Sequence, residues 1–217
     1  MADSKRIEIT GTGLVLRGND IDTDRIFPAR YLKCLTFDEV AEHVFEDDRA
    51  QQKAEGKVHP FDIPARQEAT ILFVNKNFGC GSSREHAAQA LKRWKHGIKA
   101  IIGESFAEIF FSNSLACGIP CVKVAGGDIQ KLMTACDNSS IQSFTLDIQN
   151  KTISYGVDVI PVEIEEGPRQ QLMSGRWDAT IELLDAMDDI QNKANSMPYF
   201  KIVAPKQKVT ANIAATA

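Results

Sequence analysis

Ile71-Leu72-Phe73-Val74, then Asn77-Phe78-Gly79-Cys80-Gly81, then Ser82-Ser83-Arg84-Glu85-His86-Ala87 form the stretch on which the fold turns. Four consecutive apolar residues predict a short strand buried on both faces. The paired glycines mark a tight turn. Ser82-Ser83-Arg84-Glu85 has the form of a capping box, and Ala87, Leu91 and Trp94 follow at helical spacing, so a helix should begin there. Working outward, the pattern repeats. A strand at Ala100-Ile101-Ile102 leads to a second capping box, Ser105-Phe106-Ala107-Glu108, then to a helix ending near Gly118 and a strand from Pro120 to Val124. This β-α-β-α-β order with short connections predicts an α/β fold with parallel strands and right-handed crossovers.

Upstream, residues 7–17 predict one or two short strands around Gly11 and Gly13, followed by a polar loop, Gly18-Asn19-Asp20-Ile21-Asp22-Thr23-Asp24-Arg25. A helix is predicted from Thr36, because Thr36-Phe37-Asp38-Glu39 is another capping box and Val40, Val44 and Phe45 share a face. Residues 50–68 carry Pro60 and Pro64 and read as an irregular excursion over the surface. Downstream of Asp128, a short helix presents Ile129, Leu132, Met133 and Cys136 on one side. A hairpin should come next, alternating through Phe144, Leu146 and Ile148, turning at Asn150-Lys151 and returning through Ile153 and Tyr155. Helical pattern returns from Arg169, breaks at Gly175 and resumes from Asp178 towards Ile190. The chain is expected to form one domain over residues 1–196, including this helical segment, with residues 197–217 as a flexible tail.

The composition is that of an ordinary globular chain: 217 residues, 43% hydrophobic, 25% charged, with a net charge of −4 that calls for no nucleic-acid partner. Met1-Ala2-Asp3-Ser4-Lys5-Arg6 is polar and leads into no apolar run, so neither a signal peptide nor a membrane span is expected, and the cytoplasm is the expected compartment. Cys34, Cys80, Cys117, Cys121 and Cys136 are odd in number and scattered, which favours free thiols over a disulfide framework.

The serine turn can be read chemically in two ways. The first-turn amides of a helix are unpaired and make an anion site. Glycines at 79 and 81 allow close backbone approach, Ser82 and Ser83 offer hydroxyls, and Arg84 can clamp a carboxylate with two parallel hydrogen bonds. The plainer reading makes Ser82 an N-cap, Glu85 its capping partner and Arg84 a solvated residue. A phosphate loop is not implied, since the Gly-x-x-x-x-Gly-Lys-Ser/Thr spacing is absent.

Residues 77–87 closely resemble the signature of the aconitase swivel domain, as found in the small subunits of isopropylmalate dehydratases. Two further blocks agree in order. Asp20-Ile21-Asp22-Thr23-Asp24-Arg25-Ile26-Phe27-Pro28-Ala29-Arg30-Tyr31-Leu32 resembles the family's Asp-Thr-Asp-x-Ile-x-Pro segment, and Ser105 to Asn113 with Gly118-Ile119-Pro120 resembles its third block. Residues 169–189 resemble the C-terminal part of the longer bacterial members.

The resemblance implies a swivelling β/β/α three-layer domain, active as a hydro-lyase only with a large subunit that carries a [4Fe–4S] cluster. It implies isomerisation of 2- and 3-isopropylmalate by dehydration and rehydration in leucine biosynthesis; homoaconitate or 2-methylmalate hydro-lyases are the near alternatives. A non-catalytic anion-binding module is the alternative from another class. By the same carry-over Ser82 is the general base, Asp24 supports it, and Arg84 binds a substrate carboxylate with Ser83 and Thr23 at the same mouth. Tyr31-Leu32-Lys33-Cys34 resembles the specificity segment. There Lys33 could pair with an extra carboxylate, or could point to solvent and leave Leu32 or Cys34 to line an apolar pocket. Glu108 stands where the family commonly has arginine.

No metal or cofactor site is expected on this chain. Cys117-x-x-x-Cys121 lacks a nearby third thiolate, and His43, His59, His86 and His96 are scattered. His86, one helical turn after Ser82, is the histidine best placed to support the mouth.

Overall fold

The computed structural model describes residues 4–33, 37 and 39–199. It divides into two compact units, Met1–Asp178 and Ala179–Ala217. In the described part of the first unit, seven strands form one sheet in the order β4-β3-β2-β1-β5-β6-β7. The predicted β-α-β-α-β series is present: β2 (Ile71–Val74), α3 (Glu85–Arg93), β3 (Ala100–Gly103), α4 (Glu108–Ala116) and β4 (Cys121–Lys123), with the strands parallel. β2 and β3 are buried at every position, as their unbroken apolar runs require.

β1 (Glu8–Leu16) is a single long strand that belongs to both halves of the sheet. Its second half, Gly13 to Leu16, pairs in parallel with β2, and its first half, Glu8 to Thr12, pairs antiparallel with β5 (Ser143–Asp147). The hairpin of β5 and β6 (Thr152–Tyr155) continues into β7 (Asp158–Pro161), a strand that the sequence pattern does not announce. Gly13 marks the handover between the two halves. A Cβ there would lie 2.6 Å from the Phe73 ring and 2.8 Å from Cys136 Sγ, so only glycine fits.

Side-chain alternation along the strands builds two cores. Leu14, Leu16, Leu72, Val74 and Ile101 face Ile26, Phe27, Phe45, Leu91 and Phe110; this side carries α1 (Thr23–Ile26), α3 and α4. Ile71, Phe73, Ile102 and Val122 face the opposite way, onto α5 (Gly126–Asn138), the inner faces of β5 and β6, and Leu172 of α6 (Glu166–Ser174). The predicted face of α5, Ile129, Leu132, Met133 and Cys136, is buried.

Several local expectations need correction. Neither of the two capping boxes after β2 and β3 caps. α3 starts at Glu85 with Arg84 in the N-cap position, and α4 starts at Glu108 with Ala107 there, neither with a side-chain cap. Thr36 and Asp38 of the third box lie outside the described residues. Beyond them the chain makes a 3₁₀ turn, Glu39–His43, then α2 (Glu46–Ala54), with Val40, Val44 and Phe45 fully buried as expected.

The 50–68 excursion is more embedded than its polarity suggests. Phe61 and His59 are each 1% exposed, and Arg66 is buried against the C-terminal end of α5, donating to the carbonyls of Gly13 (3.1 Å) and Cys136. A guanidinium suits the negative end of a helix dipole, and that fit makes its burial tolerable.

The second unit is described by α7 (Ala179–Asp185) and α8 (Met187–Ser196), which expose Leu183, Leu184, Met187 and Ile190. The division at Asp178 cuts through the span 1–196 read as one domain, and most of the expected tail lies outside the described residues. Among the described residues no helix is long and apolar enough to cross a membrane.

Candidate active site

Two polar blocks that look unrelated along the chain meet at the C-terminal ends of β1 and β2. The loop after β1 and the turn after β2 are stitched together by backbone bonds. Asp20 N–H donates to Lys76 O (2.9 Å), Gly79 N–H to Ile21 O (2.8 Å) and Thr23 N–H to Cys80 O (2.8 Å). Gly81, at φ +92°, lies directly against this loop; a Cβ would sit 3.4 Å from Asp22 Cβ. Gly79, at φ +77°, leaves no room at all, since a Cβ would be 2.1 Å from the Phe110 ring.

Ser82 and Ser83 stand exposed beyond this turn. Thr23 Oγ1 donates to the Ser82 carbonyl at 3.0 Å, which fixes the backbone of the residue expected to act as base. Thr23 itself is only 1% exposed, so its hydroxyl shapes the turn rather than facing a ligand. No hydrogen bond of the Ser82 or Ser83 hydroxyl is found among the described residues. Both remain available at the mouth of α3, where first-turn amides point outward.

Asp24 pairs with Arg84 rather than with Ser82: Arg84 Nη1 donates to Asp24 Oδ1. The arginine side chain is 13% exposed and the aspartate 51%, so a well-packed cation is matched by an anion that can swing into solvent. Asp22 caps α1 by accepting from Arg25 N–H at 2.8 Å, and Arg25 grips Asp48 through Nε and Nη2. His86 stacks on Phe27 with ring centroids 5.7 Å apart and meets Phe37 edge-on at 5.2 Å. It packs the root of the mouth and is not aimed at the serines by any hydrogen bond.

The segment expected to set specificity lies beside this site in sequence and shares its core. Ala29–Tyr31 is a 3₁₀ turn; Leu32 packs half-buried against the site-side core, and Lys33 is exposed. Cys34 lies outside the described residues. Glu108 is exposed in the first turn of α4, where its charge suits the helix dipole.

No three His, Cys, Asp or Glu side chains among the described residues converge as metal ligands. Burial pushes the Cys117 thiol up to about 11 and the Cys121 thiol up to about 12.

Two braces of the turn were missed by sequence reasoning. Ser105 Oγ accepts from Asn77 N–H at 2.8 Å, and Asn77 Nδ2 donates to Asp20 Oδ1 at 2.8 Å. Asn77 adopts φ +55°, a left-handed conformation for which asparagine is a favoured non-glycine residue, and that was the available signal.

This combination of a mixed sheet with a parallel β-α-β-α-β half, a glycine turn and a Ser-Ser-Arg mouth is that of an aconitase-type swivelling domain. Residues 5–126 match the family model described as the aconitase C-terminal domain, and the chain belongs to that family. Its relatives are more specific. The chain is 50% identical over 195 residues to the 3-isopropylmalate dehydratase small subunit of Synechocystis, an alignment covering 88% of this chain and 94% of the relative. It is 45% identical over 191 residues to a 3-isopropylmalate dehydratase small subunit of Thermus thermophilus, with the same two coverages, 88% and 94%. A crystal structure of a 3-isopropylmalate dehydratase from Methanocaldococcus jannaschii superimposes with a TM-score of 0.62 at 26% identity, covering 86% of this chain and 99% of that one.

Proposed function

We propose that this chain is the small subunit of a cytoplasmic 3-isopropylmalate dehydratase, a hydro-lyase that interconverts 2- and 3-isopropylmalate in leucine biosynthesis together with an iron–sulfur large subunit. The observation that carries the reading is the arrangement around Ser82. An exposed hydroxyl sits on a backbone pinned by Thr23, beside a guanidinium that is already oriented.

In this reading Ser82 Oγ takes the proton from the carbon beside a substrate carboxylate and returns one in rehydration. A serine can do this only if its oxyanion is stabilised, and the α3 amides and Arg84 are the donors at hand. Arg84 exchanges Asp24 for the substrate carboxylate; the ion pair keeps the guanidinium oriented until then, and the exposed Asp24 is free to move aside. Ser83 lies at the same mouth and is placed to contact the substrate. A cluster held by the large subunit would supply the Lewis acid for loss of the hydroxyl.

Ser82 and Ser83 are open to water, which would quench an alkoxide, so the site needs a cover, and a large subunit closing over the mouth provides it. Relatives 50% and 45% identical, both 3-isopropylmalate dehydratase small subunits, support an isopropyl side group over an extra carboxylate. The test is reconstitution with an iron–sulfur large subunit and assay on 3-isopropylmalate. Turnover that collapses at least about 100-fold in Ser82→Ala, with assembly intact, is the expected result. A wild-type complex inert on 3-isopropylmalate refutes it.

A further inference from the structure

Glu46, the first residue of α2, lies outside the three sequence blocks that build the mouth, yet three side chains organise around it. Tyr31 Oη donates to its Oε1 at 2.8 Å, His43 Nδ1 lies 2.5 Å from its Oε2, and Arg30 Nη2 reaches Oε1 at 3.2 Å. Tyr31 and His43 are also stacked face to face, ring centroids 3.5 Å apart at an interplanar angle of 9°, and the Arg30 guanidinium lies 4.7 Å from the Tyr31 ring centroid. Arg30 is held further by Asp47, which it grips with two bonds of 2.8 Å.

The carboxylate itself stands on firm ground. Phe45, immediately before it, is fully buried, adopts φ +51°, and donates its N–H to Ile26 O of α1 at 3.0 Å. A phenylalanine held in the left-handed region must be over-determined by its surroundings. Glu46 is thus tied on one side to the helix that carries Thr23 and Asp24, and on the other to the turn that leads into Leu32 and Lys33.

An exposed ion pair on its own contributes little, and its loss would be silent. A tyrosine held by a stack on its ring and a bond at its tip is different, since its ring is fixed at both ends within a turn that Leu32 N–H closes onto Ala29 O. We propose that Glu46 is a positioning residue for substrate selection, clamping Tyr31 so that the Ala29–Lys33 turn, with Leu32 packed on the site-side core and Lys33 outside, keeps one conformation. The inference rests on the dehydratase function proposed for the chain and deepens it.

The test uses the reconstituted complex with two acids, 3-isopropylmalate and its methyl analogue, and reads the ratio of the two kcat/KM values. In Glu46→Ala this ratio should fall about tenfold, mostly through KM for 3-isopropylmalate, with kcat on the methyl analogue little changed. Tyr31→Phe, which removes one oxygen and keeps the stack, should move the ratio part of the way. Glu46→Gln keeps an acceptor for Tyr31 and should restore most of it. An unchanged ratio in both Glu46→Ala and Tyr31→Phe, or an equal loss on both acids, overturns the proposal while leaving the dehydratase function intact. A wild-type complex that turns over neither acid overturns both.

Discussion

The strand-to-helix junction after β2 and the one after β3 share a sequence pattern and have opposite fates. Each carries Ser-x-x-Glu, and in each the helix begins at the glutamate, with the N-cap position at Arg84 or Ala107 instead of at the serine. After β3 the displaced serine is used at once, because Ser105 Oγ accepts from Asn77 N–H and the Ser105 carbonyl from Phe78 N–H at 3.1 Å. After β2 the displaced serine keeps its hydroxyl available, and its carbonyl is tied to Thr23. One junction is a brace and the other is braced. Serines near a helix start need not be caps, and what distinguishes a structural from a chemical serine here is whether a neighbouring strand end reaches it.

The largest effect that would break this contrast is expected at Gly79. Its positive φ and the Phe110 ring, 2.1 Å from where a Cβ would stand, make Gly79→Ala destabilising by about 4 kcal/mol, seen as a large drop in the denaturant midpoint. Next comes the pair of serines themselves. Ser82→Ala should leave the melting temperature unchanged and cut kcat of the complex at least about 100-fold. Ser105→Ala should do the reverse, costing about 1 kcal/mol of stability with kcat nearly intact. If both substitutions damage kcat equally, the distinction between brace and mouth is wrong.

A smaller effect is expected from Thr23→Val, which removes the bond to the Ser82 carbonyl without changing shape. Stability should fall by about 1 kcal/mol and kcat several-fold, with KM held. The mildest probe is thiol alkylation at pH 8 followed by mass mapping. Cys80, in the open junction, is half-exposed, with its thiol raised by burial and then by the charges of Asp22 and Asp20. Cys121, beyond the closed junction, is buried and raised to about 12. Among the four described cysteines Cys80 should label first, with Cys117, Cys121 and Cys136 labelling only on unfolding. Earlier labelling of Cys121 would mean that the second junction opens.

Much of the frame was legible because it depends on local pattern. The unbroken runs at 71–74 and 100–102 are buried on both faces, and the alternation through Phe144, Leu146 and Ile153 marks β5 and β6 correctly. The candidate residues of the mouth were legible too, through three blocks in order. Less visible were the joining of two sheet halves on one strand and the addition of β7, whose Asp158-Val159-Ile160-Pro161 buries only Ile160 and so carries almost no pattern. Asp24 was read as the support of Ser82, yet its partner in the fold is Arg84, a residue 60 positions away that no local pattern links to it.

The sequence by itself determined most of the strands and helices, where the chain must turn, and which side chains are candidates for chemistry. Those properties follow from periodicity and from glycine's tolerance of positive φ, both local. The tertiary structure alone decided where α3 and α4 begin, which serine hydroxyl stays available, and what Arg84, Arg66 and Glu46 hold. A cap contributes about 1 kcal/mol, and several backbone bonds across the 18–24 loop and the 77–81 turn outweigh it together. That competition is between groups far apart in the chain, so it is settled only when the strands are side by side.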